Sequence, residues 1–162
     1  MKALQFLAVV LTALALVPDG AHLLAMPNKL GLDETAYFTA QAAYRGWSLL
    51  GILLVLALAA DLALMIGARR QRTSLWLALA GVLCLAATLA VFFLWIYPAN
   101  QATANWTAVP DDWTAQRLQW EYSHAANALL TLAALCLVTL SVLCWCDPAR
   151  ASRPSAPAAT GR

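Results

Sequence analysis

The sequence predicts an all-α integral membrane protein, a four-helix bundle with both termini on the cytoplasmic side. Three observations carry that reading. Of 162 residues, 62% are hydrophobic and 11% charged, against roughly 45–50% and about 25% in soluble domains. Four apolar runs are close to the roughly 20 residues a helix needs to cross the hydrocarbon core. The basic residues fall unevenly between the links joining those runs. Lipid is therefore the expected surrounding. A scattered net charge of +2 argues against a nucleic-acid partner. No strand-like alternation appears, and a barrel would need about eight such strands.

The first span runs from Ala3 to about Met26, with Pro18, Asp19 and His22 interrupting its outer end. Lys2, the run Ala3–Val17 and the small-residue triplet Ala13-Leu14-Ala15 also fit a cleaved signal peptide. Apolar character resumes after Gly20, which favours a retained span. The second span, Trp47–Ile66, contains one charge, Asp61, read as a structural hydrogen-bonding residue. The third, Ser74–Tyr97, and the fourth, Ala125–Trp145, contain none. Lys2, Arg69, Arg70, Arg72, Arg150, Arg153 and Arg162 fall on one side of these spans; Lys29, Arg45 and Arg117 fall on the other. The positive-inside rule then gives an N-in/C-in, multi-pass protein of the plasma (bacterial inner) membrane. Trp47, Trp95, Tyr97 and Trp145 stand at span ends, where aromatic rings favour the headgroup region. Cys84, Cys136, Cys144 and Cys146 give no disulfide framework and no C-x-x-C. Residues 1–147 read as one four-span domain, and 148–162 as a disordered cytoplasmic tail.

Two outer segments are more than connectors. Asp33 reads as an N-cap before Glu34 and Thr35. Tyr37, Gln41, Tyr44 and Ser48 then recur at i, i+4, i+7 and i+11, one helical face. This predicts an amphipathic extension of the second helix beyond the membrane core. Pro110-Asp111-Asp112 reads as a helix start, giving the fourth helix an N-terminal extension. From there Trp113, Arg117, Trp120, His124, Asn127 and Thr131 follow at steps of four and three. They fall within a sector of roughly 80°, with Glu121 just beside it. Such residues face lipid only at high cost, so the seam should look into the bundle or a wet cavity. A plainer alternative makes Arg117 and Glu121 a surface ion pair and the tryptophans belt residues. His22 lies near the expected depth of His124, and Asp19, three residues earlier, shares its face and could orient its ring. Asn105-Trp106-Thr107 matches a glycosylation sequon, a short and common pattern.

The stretch Pro98-x-Asn100 … Trp113-x3-Arg117-x2-Trp120-x3-His124 resembles the anthrone-oxygenase-like family of small four-helix membrane proteins, largely catalogued as a domain of unknown function. The resemblance covers most of Gly20–Leu137. The Trp-x3-His step and the preceding Asn carry most of it. Many members place a basic residue three beyond that histidine, where this chain has Asn127. The resemblance implies oxidation of an apolar, anthrone-type substrate by molecular oxygen, without a bound cofactor.

Such chemistry needs a base, a donor for the developing enolate and a dry apolar pocket. His124 is the candidate base, with Glu121 or Asp19 orienting it. Arg117 or Asn127 would stabilise the oxyanion. Trp113, Trp120, Tyr37 and Tyr44 would wall the pocket, with Gln41 and Asn100 among the substrate-contacting residues. A metal-dependent alternative places iron on His22, Glu121 and His124, since Glu121-x-x-His124 is the step used by di-iron bundles. A third alternative is a non-catalytic subunit or scaffold whose seam binds a partner helix or lipid, helped by small residues such as Ala57–Ala60 and Ala86-Ala87. Asp61 as the sole inner polar charge disfavours transport.

Overall fold

A computed structural model describes residues 1–145. Those residues are helical, without strands, and contain α1 (Lys2–Leu30), α2 (Glu34–Gln41), α3 (Gly51–Gly67), α4 (Arg72–Val91), α5 (Tyr97–Ala102) and α6 (Trp113–Leu143). Short 3-10 turns, Trp47–Leu50 and Ala68–Arg70, extend α3 at its two ends. A π-helical turn, Phe92–Ile96, makes α4 and α5 one continuous rod. Its cause is local. Pro98, in the first turn of α5, has no amide hydrogen for the ladder, and a wider turn absorbs the mismatch.

Four rods, Lys2–Leu30, Trp47–Arg70, Arg72–Ala102 and Trp113–Leu143, are long and apolar enough to cross a membrane. This is a multi-pass membrane protein. At 1.5 Å per residue the 31-residue rods reach about 46 Å, well beyond a hydrocarbon core of roughly 30 Å. The rods are therefore longer than that core.

The rods close into a ring: α1 packs on α3 and α6, and α4 packs on the same two helices. One layer of the core holds Ala8, Leu64 and Val138; the next holds Ala15, Ala57, Leu85 and Ala134. Numbers rise in α1 and fall in α3 and α6 between those layers, so neighbouring rods run in opposite directions. Small residues set the spacing. A Cβ on Gly81 would lie 2.9 Å from Val138 Cγ2, so α4 and α6 touch there. Deep in the core Asp61 accepts from Thr12 Oγ1 at 3.1 Å, the structural hydrogen-bonding role its isolation suggests. Nearer the lower end Ser141 Oγ donates to the Ser74 carbonyl at 2.8 Å.

Three features depart from the expected layout. The first helix runs through Pro18 and Pro27 to Leu30 rather than fraying near Met26. The expected extension of the second helix is a separate element. Asp33 does cap α2, accepting from the Ala36 amide at 2.8 Å. The chain then turns through Gly46, whose φ of +85° is left-handed backbone that breaks the helix before α3. Ser48 consequently leaves the expected stripe and is exposed. The tail 148–162 lies outside the described residues.

Candidate functional site

The site sits at the upper end, where α1 finishes and α6 begins, covered by α2 and α5. Two sequence periods build it. On α1, Ala8, Ala15, His22 and Lys29 are all buried, one every seventh residue. A heptad drifts only about 20° on a straight helix, so all four stay on the inner face. The lower two complete the apolar layers; the upper two are a histidine and a lysine. On α6 the predicted seam turns inward. Trp120, Asn127 and Thr131 are buried and Trp113, Arg117 and His124 half-buried, while Leu118, Tyr122 and Leu129 on the far face are exposed.

The first polar group joins α1 to α6. His124 Nδ1 lies 2.9 Å from Asp19 Oδ1. Beside an ionised carboxylate, which only accepts, a neutral ring carries its proton on Nδ1 and leaves Nε2 its lone pair. No described residue hydrogen-bonds Nε2. The His22 ring packs 4.3 Å from His124 (centroid to centroid), 4.2 Å from Tyr44 and 4.7 Å from Trp120. Asp19 thus serves His124 on the facing helix, not its own-helix neighbour His22, whose buried Nδ1 has no hydrogen-bond partner.

A second group centres on Glu121, which is 1% exposed. Its Oε1 is 2.8 Å from Lys29 Nζ and accepts from the Tyr37 hydroxyl at 2.9 Å. Gln41 Nε2 donates to that hydroxyl at 2.6 Å. The Lys29 ammonium also lies 4.8 Å from the centre of the Tyr44 ring and 5.0 Å from that of Trp120, positions favourable for cation–π attraction. Burial, reinforced by the neighbouring Glu121 carboxylate, holds the Tyr37 phenol above its ordinary range and pushes Tyr44 up by the same two causes.

Several expected roles change with this geometry. Glu121 does not orient His124; it is occupied by Lys29 and Tyr37. The two histidine rings are close, while Glu121, the third residue of the iron alternative, contacts Lys29 and Tyr37. Among the described residues no group of three His, Cys, Asp or Glu side chains is arranged to hold a metal ion. Arg117 and Glu121 do not form a surface pair. The guanidinium donates to the Leu32 carbonyl at 2.8 Å and stacks 4.7 Å above Trp113 and 5.4 Å from Tyr37. Asn127 is buried one turn below His124, with an unpartnered Oδ1.

Asn100 is spent on scaffolding rather than left open for a ligand. Its Oδ1 accepts from the indoles of Trp120 at 2.9 Å and Trp106 at 3.1 Å. Trp106 reaches it from three successive left-handed residues, Ala104, Asn105 and Trp106, with φ of 47°, 56° and 64°. Such backbone costs roughly 1–2 kcal/mol per residue outside glycine. The Trp106 ring repays it inside an aromatic core with Tyr37, Ile96 and Trp120. Tyr37, Ile96, Ala99, Trp106 and Trp120 form one buried cluster there. Two surface grooves lie elsewhere, one lined by Val91, Trp95, Leu118, Gln119, Tyr122, Ser123 and Ala126, the other by Leu135, Cys136, Thr139 and Leu140.

No family model, curated protein or solved structure matches this chain. The arrangement offers a carboxylate-oriented imidazole with one free nitrogen, in a largely apolar and aromatic setting next to a buried cation. Proton abstraction from a weak acid is the chemistry those groups can perform together. Sequence reasoning overlooked Lys29 and Trp106. The heptad that leads from Ala8 to Lys29 was the available signal for the first; no local pattern announces the second.

Proposed function

We propose that this protein is an oxygenase-like enzyme of the plasma membrane, N-in/C-in, which removes a proton from an apolar, anthrone-type carbon acid at its outward-facing upper end. The single observation supporting this reading is the Asp19–His124 contact, made across two helices by residues 105 positions apart. The carboxylate holds the imidazole in the tautomer whose Nε2 can accept a proton. Orientation is supported by the charges: Lys2, Arg69, Arg70 and Arg72 mark the lower end, whereas Lys29 and Arg117 above are tied to Glu121 and the Leu32 carbonyl.

In this reading His124 takes the proton from the carbon between the two aryl rings, and the electron pair moves onto the carbonyl oxygen as an enolate. The electron-rich enolate passes one electron to molecular oxygen, and the radical pair combines to a peroxide. Loss of water from that peroxide gives the quinone. One oxygen molecule is consumed, one water leaves, and His124 returns its proton along the way. The rings of Trp120, Tyr44 and His22 would part to admit the flat substrate.

The test is oxygen uptake with 1,8-dihydroxyanthrone over protein in lipid nanodiscs, against empty nanodiscs. His124→Gln should lower the protein-dependent rate by about 10²–10⁴, the usual worth of a positioned base. Asp19→Asn should lower it too, by releasing the wrong tautomer. A wild-type rate equal to that of empty nanodiscs would refute the reading. A second reading, a non-catalytic membrane subunit, is favoured by the groove at the π turn, where Trp95, Leu118 and Tyr122 stand exposed. It expects no turnover, and capture of a partner helix that survives His124→Gln.

A further inference from the structure

We propose that Lys29 is the oxyanion ligand of this site: its ammonium receives the charged oxygen of an aromatic anion, and Glu121 occupies that position while no ligand is bound. The inference deepens the reading above and rests on it for the substrate class. Charge generated by a base at His124 needs a cation nearby. Arg117, the obvious candidate on α6, has its guanidinium on the Leu32 carbonyl and beside the Trp113 and Tyr37 rings, 4.7 and 5.4 Å from their centres. Asn127 is neutral and lies a turn below. Lys29 is 4% exposed, and it shares with the histidines the two rings that wall them. Its Nζ is 5.0 Å from the Trp120 ring centre, and that ring is 4.3 Å from His124; Tyr44 faces both Lys29 and His22.

The ammonium has three donors, and Glu121 Oε1 is its one polar contact among the described residues. Neither Lys29 Nζ nor Glu121 Oε2 has a hydrogen bond of good geometry, although both are buried. A purely structural ion pair of this burial would be expected to satisfy those atoms. An incoming oxyanion takes a free donor, and Glu121 is released toward the Tyr37 hydroxyl that already binds it.

The probe is 9-anthracenecarboxylate, an air-stable anion on the same tricycle, with uncharged 9-methylanthracene as its partner. Binding is followed by tryptophan quenching in nanodiscs. Wild type should prefer the carboxylate at least tenfold. Lys29→Arg should keep most of that preference. The double variant Lys29→Met/Glu121→Gln, which leaves no buried charge unpaired, should bind both probes equally. Glu121→Gln alone, by removing the internal competitor, should bind the carboxylate more tightly than wild type and show the larger thermal stabilisation on adding it. Equal binding of the two probes by wild type, or a preference that survives in the double variant, would overturn the proposal. Probe binding is measured without turnover, so failure of oxygen uptake and failure of anion binding are read separately.

Discussion

Replacing Lys29 by methionine isolates the energetics on which the upper end depends. The side chain is 4% exposed and its partner Glu121 1% exposed, so little water is available to screen the carboxylate left behind. Removing one member of such a pair costs about 3–5 kcal/mol, because the remaining charge stays buried. Two cation–π contacts, to Tyr44 and Trp120, vanish as well and add about 1 kcal/mol. The loss should therefore fall in the upper part of that range. Pairing the change with Glu121→Gln removes the stranded charge while an amide oxygen can still accept from Tyr37. The double variant should recover most of the loss, to within about 1–2 kcal/mol of wild type. Reversible unfolding in mixed micelles, titrated with dodecyl sulfate and followed by helical circular dichroism, supplies the three free energies. A single variant that loses less than about 1 kcal/mol, or a double variant no more stable than the single, would refute the reasoning.

Three further outcomes are expected. Gly81→Ala should cost about 1–3 kcal/mol in the same assay, because the new Cβ meets the stiff branched side chain of Val138 at 2.9 Å. Gly67→Ala, whose Cβ would crowd the flexible end of Met1 at 2.7 Å and touch Trp145 at an ordinary 3.6 Å, should be near neutral. Ala104→Gly should stabilise by about 1 kcal/mol, since glycine relieves a φ of 47° without touching the Trp106–Asn100 bond. Tyr37 should make stability fall in alkali: its folded pKa is raised, so its contribution is whole below the ordinary value of 10.0 and is lost as pH rises above it. Tyr37→Phe should remove that slope, at a cost of about 1.5–3 kcal/mol near neutrality from the hydrogen bond to Glu121.

Much of the fold is legible in the sequence because hydrophobic length is a local property. Each run of about 20 apolar residues becomes a helix whatever it packs against, since lipid leaves its backbone no other partner. The same holds for the seam on α6, where a period of three and four fixes the face before any neighbour is known. What local pattern misses is choice of partner. Asp19 and His22 share a face of α1, yet the carboxylate meets His124 on α6. Glu121 lies three residues from His124, yet Lys29 and Tyr37 claim it. Charges select the strongest partner within reach in three dimensions, and spacing along one helix does not list the candidates. Asn100 illustrates the same point, because its two indole donors arrive from Trp106 and Trp120, six and twenty residues away. Gly46 and Pro98 did carry visible signals. Both mark backbone that departs from a plain α-helix, the first as a break before α3 and the second as the π turn below α5.

An imidazole on one rod is held by a carboxylate on another, and nitrogen magnetic resonance of the protein in lipid reads that contact. The chain has two histidines, so the spectrum of ¹⁵N-histidine-labelled protein contains two rings to assign. His124 should carry its proton on Nδ1, in a strong hydrogen bond, and revert to the commoner Nε2–H form in Asp19→Asn. A wild-type His124 already in the Nε2–H form, unchanged by that substitution, would contradict it.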